Sequence, residues 1–149
     1  MDRKNSIAIF HSCLEAYEHY CKPFCNELGV PQMAIDILLF LADHPESCTA
    51  KDISRCRGFK ENILSVNVNK LVNKGFLERQ SVEGDRRKVR LVCTEKAGPV
   101  IARIQKAHES FHMLISEGLT ETDIEACQHS LVVVGKNAER IKRMDPTEI

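Results

Sequence analysis

Two short segments joined by a tight turn constrain the fold of this chain more than any other sequence feature. The segment "TAKDISRCRGF" has Thr49 at its start and Asp52 three residues later, which is the spacing of a helix capping box, and Gly58 ends it. The segment "KENILSVNVNKLVNKGF" follows after a turn of two or three residues and stops at Gly75. Two helices joined so closely predict a helix-turn-helix.

A basic hairpin follows these two helices. The segments "FLERQSV" and "KVRLVCT" predict two short strands, and "EGDRR" between them predicts the turn. Four cations, Arg86, Arg87, Lys88 and Arg90, crowd into five residues. One interpretation is a solvated hairpin tip. The other is a wing that lies against a DNA minor groove, with Asp85 pairing with Arg87 to hold the loop and Arg86 or Arg87 entering the groove.

The charge of the chain is distributed unevenly. The formal net charge is zero, yet residues 49–90 contain eleven Lys or Arg and five Asp or Glu. The rest of the chain has ten basic and sixteen acidic residues. A basic centre between acidic flanks indicates that the centre meets a polyanion and that the flanks have another task.

The second helix of the pair has two distinct faces. Leu64, Val68, Leu71 and Val72 fall on one side and predict the buried face. The other side has Asn, Ser and short β-branched residues, which suit adenine edges and thymine methyl groups. An apolar patch that packs on a partner protein is the alternative. The predicted DNA-binding residues are Lys51, Lys60, Asn62, Ile63, Ser65, Val66, Asn69, Lys70, Arg79, Asp85, Arg86, Arg87 and Lys88.

Four further helices are predicted around this unit. The first runs from a cap at Asn5 or Ser6 to Gly29, with a narrow apolar seam and a bend at Pro23. The second, "PQMAIDILLFLADH", is apolar on most sides and predicts the central buried helix. The segments "TEKAGPVIARIQKAHESFHMLISEG" and "TETDIEACQHSLVVVGKNAERI" predict two carboxy-terminal helices with apolar seams, and Thr120 with Asp123 caps the latter. Such seams need partners to bury them.

These residues resemble the MarR family of bacterial transcription regulators. Asp85, Arg87, Leu91 and Thr94 match the family's D-x-R-x-x-x-L-x-x-T wing pattern, and "LVNKGFLER" is similar to the segment that precedes it. The resemblance implies a mainly α fold with a small β-wing, in which residues 31–94 form a winged helix-turn-helix that binds DNA. Residues 1–30 and 95–149 would form a helical dimerisation region. It also implies a homodimer on a pseudo-palindromic operator, acting as a repressor.

Regulators of this family are often released from DNA by small aromatic acids or phenols. Six residues would line such an effector site: His11, Tyr20, Met33, Ile37, Phe40 and His112. The alternative interpretation of each is a residue of the hydrophobic core. A redox-responsive regulator using Cys13 is one alternative. A metal-responsive regulator using the His108 and His112 pair is another, although two ligands do not make a site. We therefore predict no metal and no cofactor.

Other classes of protein are less favoured by the sequence. No nucleophile triad, phosphate loop or paired carboxylate motif stands out, so the chain is not predicted to be an enzyme. A winged-helix module that binds only protein remains an alternative. No apolar run is long enough to span a membrane and the amino terminus does not fit a signal peptide, which predicts a cytoplasmic protein without a membrane partner.

Overall fold

A computed structural model describes residues 3–46, 49–82 and 84–145, without the side chains of residues 3, 4, 86 and 87. The predicted mainly α fold with a small β-wing is confirmed. The chain divides after Phe111 into two compact units, a boundary that falls within α5. The elements are α1 (Arg3–Leu28), α2 (Gln32–Asp43), α3 (Ala50–Arg57), α4 (Glu61–Asn73), β1 (Leu77–Val82), β2 (Asp85–Cys93), α5 (Ala97–Ile115) and α6 (Glu121–Ile141).

Helix α2 is the centre of the first unit, as its apolar sequence predicts. Ala34, Ile35, Ile37 and Leu38 have no exposed surface, and Leu39, Phe40 and Leu41 are at most 5% exposed, so other elements cover most of the helix. These elements supply apolar side chains from α3, α4, both strands and α5, namely Ile53, Leu64, Val68, Leu71, Leu77, Leu91, Ile101 and Ile104. Burial of this apolar surface is the main force that holds the helix-turn-helix against the rest of the unit.

The predicted caps of the helix-turn-helix are confirmed. The Thr49 hydroxyl accepts a hydrogen bond from the backbone N–H of Asp52, and the Asp52 carboxylate accepts one from the backbone N–H of Thr49. Gly58 ends α3 with a φ of 68°, a left-handed conformation that favours glycine. The Ser54 hydroxyl donates to the backbone carbonyl of Phe59 at 2.8 Å, which closes the turn between α3 and α4.

The wing is a two-stranded antiparallel ribbon in which Leu77 pairs with Cys93 at its base. Strand β2 begins at Asp85, three residues earlier than the sequence predicts. The reason is a register shift between Ser81 and Val82, which lets Val82 pair with Asp85 and continues the ladder toward the tip.

Helix α1 begins earlier than predicted. Asn5 and Ser6 lie inside the helix, which starts at Arg3, so the predicted cap is wrong. No Pro or Gly precedes these residues to stop the helix, and a residue that can cap a helix does not by itself end one.

Glu27 near the end of α1 accepts two hydrogen bonds from the Arg103 guanidinium of α5, at 2.7 and 2.8 Å.

The second unit contains the end of α5 and helix α6. Gly118 turns the chain with a φ of 85°, and Thr120 and Asp123 form the predicted capping box. Helix α6 has no buried residue. Its apolar seam is therefore uncovered in the single chain.

No single described helix is both long and apolar enough to cross a membrane. Helices α1 and α2 meet that requirement only as a pair, with a bend of 91° between them.

Candidate nucleic-acid interface

The outer face of α4 is exposed although it is partly apolar. Ile63 is 44% exposed and Val66 is 53% exposed, between the exposed polar side chains of Asn62, Ser65 and Asn69. The opposite face packs into the core through Leu64, Val68 and Leu71, so the predicted orientation of the helix is confirmed. The unit thus presents a helix surface with amide groups and methyl groups, which are the groups that read base edges in a major groove.

Asn67 is the residue on this helix that sequence reasoning missed. It is only 5% exposed, and its side-chain N–H donates to the carbonyl of Ile63 at 2.9 Å and lies 3.5 Å from the Met33 sulfur. Its Oδ1 atom is buried without a hydrogen-bond partner among the described residues. The helical period could have revealed this, because position 67 lies one turn from both Leu64 and Leu71.

Exposed cations lie on α3, on α4 and on the first strand of the wing. Lys51 on α3, Lys60 before α4, Lys70 at its end and Arg79 on β1 are all exposed. Two of the predicted residues contact each other directly, because the Arg79 guanidinium donates to the Asn69 Oδ1 atom at 2.6 Å. The first strand of the wing is therefore linked to the exposed face of α4.

The wing cations do not all have the same environment. The Lys88 ammonium lies 3.9 Å from the Asp85 carboxylate and stays largely exposed. The predicted contact of Asp85 with Arg87, and the entry of Arg86 or Arg87 into a groove, concern side chains outside the described part of the structure. Arg90 is half-buried and donates to the backbone carbonyl of Pro45 at 3.1 Å, so it turns toward the protein.

The Asp52 carboxylate in the first turn of α3 is held in its ionised form. Hydrogen bonds from the backbone N–H and then the hydroxyl of Thr49 lower the pKa of Asp52, and Arg55 and Lys88 lower it further. The Asp52 carboxylate thus stays ionised in the first turn of the helix, where negative charge is favourable.

The predicted effector residues fall in different environments. Ile37 is fully buried and Phe40 is 4% exposed, and both belong to the hydrophobic core. His11 is exposed and lies 3.3 Å from Glu15. Tyr20 is half-buried, with its ring 5.4 Å from that of Phe111. Met33 is half-buried beside Asn67, whereas His112 is an exposed residue of the second unit.

A polar cluster between α1 and α2 was not predicted. The Tyr17 hydroxyl and the Gln32 amide both donate to Asp36 Oδ1 at 3.1 Å. The Cys25 thiol donates to Gln32 Oε1 at 3.7 Å. Burial raises the pKa of Asp36 above its usual range, and burial followed by the charge of Asp36 raises the pKa of Tyr17. Tyr17 also packs on the rings of His108 and Phe111, which links the cluster to α5.

The redox alternative depends on Cys13, which is an exposed residue of α1. Within residues 3–46, 49–82 and 84–145, no three His, Cys, Asp or Glu side chains form a group that could hold a metal ion.

Comparison with known proteins relates this arrangement to a family. Residues 28–88, which include α2, the helix-turn-helix and the start of the wing, match the sequence model of the MarR family. This region of the chain is similar to a MarR-family winged helix. Members of this family are transcription regulators. No curated protein sequence matches the chain closely enough to be called a relative.

Solved MarR-type structures share the fold over almost the whole chain. A MarR protein from Peptoclostridium difficile has a TM-score of 0.84 at 16% identity, covering 94% of this chain and 90% of that one. A transcriptional regulator named PA3341 has a TM-score of 0.79 at 25% identity, covering 91% and 98%. A MarR-family regulator from Listeria monocytogenes, solved in complex with a 26mer DNA, has a TM-score of 0.79 at 16% identity, covering 92% and 89%.

Proposed function

We propose that this chain is a homodimeric, sequence-specific DNA-binding repressor of the MarR family. The observation that supports DNA binding best is the exposed face of α4, which has amide and apolar side chains and contacts the Arg79 guanidinium of β1. In this proposal α4 enters a major groove, where Asn62, Val66 and Asn69 contact base edges. Lys51, Lys60, Lys70 and Arg79 neutralise phosphates on either side.

The wing supplies the second contact in this proposal. Lys88 is exposed on β2, and Arg86 and Arg87 precede it in the sequence. A basic ribbon beside a recognition helix can lie along the adjacent minor groove, where the potential is most negative. The Listeria monocytogenes protein of the same fold was solved in complex with DNA, which supports DNA binding by this chain.

Exposed apolar residues outside the interface support the homodimer. On α1, Ile7, Phe10 and Leu14 are 76%, 47% and 63% exposed. On α6, Leu131 and Val134 are both 48% exposed. Apolar surface of this extent is costly in water, and a second copy of the chain would bury it by two-fold symmetry. Two copies would set their α4 helices in successive major grooves, about 34–36 Å apart. The DNA that they cover would be blocked to other proteins, which is how a repressor acts.

A small aromatic or phenolic effector completes the proposal. Tyr20 and Met33 are the candidate residues that are half-buried, and the Tyr17, Tyr20 and Phe111 rings pack together nearby. The Asp36 carboxylate beside Tyr17 favours a phenol that donates a hydrogen bond over a carboxylate, because like charges repel. Such a ligand releases the protein only if it binds better to a state that cannot engage DNA.

The test of DNA binding is a titration of the full chain with mixed-sequence duplex at 50 and 200 mM salt, reading affinity by fluorescence anisotropy. Phosphate neutralisation predicts a loss of affinity of about 10³-fold or more over this range for six or more contacts. A duplex selected from a random pool by the wild-type protein then gives the specific site. Absence of salt-dependent binding to any duplex, with salt-insensitive binding to a protein instead, would support the protein-only module.

Three panels test the effector: aromatic acids and phenols, divalent metals, and hydroperoxides with a Cys13→Ser control. We expect release from the selected duplex, with thermal stabilisation, only in the first panel. Release by metal alone, or release by peroxide that disappears in the Cys13 variant, would replace the aromatic effector with the metal or redox alternative.

A further inference from the structure

Arg90 differs from Lys88, the other cation of β2 whose side chain the structure describes. Lys88 is largely exposed, whereas Arg90 is half-buried and donates through Nη2 to the backbone carbonyl of Pro45. The Nε atom of Arg90 is also buried, with no hydrogen-bond partner among the described residues. A guanidinium aimed at the protein in this way is poorly placed to contact a phosphate.

The backbone of Arg90 makes a second link to the same region. Residue 90 forms an isolated antiparallel bridge with Thr49, so a third segment pairs with β2 at this one position. Thr49 is also the cap of α3, held by the reciprocal hydrogen bonds with Asp52. Arg90 therefore connects the wing to both ends of the α2–α3 connection, through its side chain to Pro45 and through its backbone to Thr49.

The wing needs such a connection because a two-stranded ribbon is marginally stable by itself. Its base is anchored in the core by Leu77 and Leu91, and the Thr94 hydroxyl donates to the Gly75 carbonyl at 2.6 Å. Beyond the base, the side chains from Glu78 to Ser81 on β1 are exposed and give no apolar anchor. Arg90 pairs with Gln80 in this exposed part of the ladder, one residue from Leu91.

A groove lies between the wing and the start of α3. The two elements line this groove of about 620 Å³, with Val82 and residues 88–90 on the wing and residues 49–52 on α3. Thr49 and Arg90 both line this groove, so the bridge between them joins its two sides.

We propose that Arg90 is a positioning residue that fixes the wing relative to α3 and α4, so that the wing and α4 meet two adjacent DNA grooves together. This inference rests on the proposed DNA binding. It assigns Arg90 a role different from that of its neighbours: Arg90 pre-organises the interface, and Lys88 contacts the polyanion. Pre-organisation improves affinity by reducing the ordering that binding would otherwise require.

The test compares Arg90→Gln, Arg90→Lys and the neighbouring control Lys88→Gln on the duplex selected by the wild-type protein, at several salt concentrations. Arg90→Gln should weaken binding about tenfold, the effect of one lost charge-assisted hydrogen bond, with an unchanged salt dependence. Lys88→Gln should lower the slope of log affinity against log salt by about one. Arg90→Lys should restore part of the affinity, because an ammonium can still donate to the Pro45 carbonyl.

Hydrogen exchange of the free protein gives a readout that does not depend on DNA. Arg90→Gln should speed exchange of the β1 and β2 amides while the amides of α2 keep their wild-type protection, and Lys88→Gln should change neither. A lowered salt slope in Arg90→Gln, or wild-type affinity together with wild-type exchange, would overturn the positioning role. If Arg90→Gln does not fold, the Arg90→Lys variant tests the positioning role through the same two measurements, the salt dependence of DNA affinity and the hydrogen exchange of β1 and β2. Failure of the wild type to bind any duplex would refute the proposed function, and the exchange experiment would still test the link between wing and α3.

Discussion

The guanidinium of Arg79 donates to the side-chain carbonyl of Asn69 across 2.6 Å, and thereby joins the first strand of the wing to the exposed face of α4. Both residues were predicted to contact DNA, one a phosphate and the other a base. In the free protein, however, the Arg79 guanidinium already occupies one lone pair of the Asn69 acceptor. When Asn69 contacts adenine, it either shares this acceptor with Arg79 or displaces Arg79, for example onto a phosphate.

This contact predicts that the two residues are coupled in DNA binding. A double-mutant cycle of Asn69→Ala and Arg79→Ala on the selected duplex should give a coupling energy of about 0.5–3 kcal/mol. The cycle of Asn69→Ala with Lys60→Ala is the control and should be additive, because Lys60 lies at the other end of α4. Additive effects in both cycles would show that the contact with Arg79 has no part in base reading.

The basic tip of the wing gives a second prediction. Arg86→Ala and Arg87→Ala should each weaken DNA binding with little change in thermal stability, because lost phosphate or minor-groove contacts do not affect the core. Lys106→Ala removes the same charge from an exposed position on α5 and should have little effect in the same gel-shift assay. Wild-type affinity in the Arg86 and Arg87 double variant would contradict the minor-groove contact.

The exposed seam of α6 predicts the oligomeric state. Leu131→Glu should convert the proposed dimer to a monomer, weakening association by about 100-fold or more, because the interface would have to bury an unpaired charge. His129→Glu adds a carboxylate on the opposite side of α6 and should leave the dimer intact. Analytical ultracentrifugation measures both. A monomeric wild type, or a dimeric Leu131→Glu variant, would refute this interface.

Asn67 predicts a gain in stability on substitution. Asn67→Leu removes a buried acceptor that lacks a partner among the described residues and adds apolar surface beside Leu64 and Leu71. The free energy of unfolding in urea should rise by about 1 kcal/mol. Asn69→Leu, at an exposed position, should leave it nearly unchanged. A marked loss of stability in Asn67→Leu would mean that the Asn67 side chain makes an interaction that the fold requires.

Asp36 predicts a dependence of stability on pH. Burial raises the pKa of Asp36 in the folded state above its pKa in the unfolded chain. The folded state therefore binds the proton more tightly than the unfolded chain does. At neutral pH the buried carboxylate is ionised, and this lowers the stability of the fold. Asp36→Asn keeps an acceptor for Tyr17 and Gln32 and should raise the melting temperature at pH 7. This gain should shrink as the pH falls through the folded pKa of Asp36 toward the ordinary carboxyl range. A gain independent of pH would contradict the ionised state of Asp36 at neutral pH.

The sequence by itself determined the elements and their order. Caps and stops are local, since Thr49 and Asp52 are three residues apart and Gly58 needs only its own backbone conformation, so they could be read without the fold. The buried face of α4 and the central position of α2 followed from helical period and composition in the same way. The family resemblance of the wing likewise depends on residues close together in the chain.

Only the tertiary structure decided what the polar side chains contact. Sequence reasoning grouped Arg90 with the other wing cations, yet its partners Pro45 and Thr49 come from a segment more than forty residues away. Likewise, the Asn69 contact with Arg79 and the Tyr17 contact with Asp36 join separate elements. The direction of a long polar side chain depends on which distant acceptor the folded chain brings within about 3 Å, and local pattern contains no information about that distance.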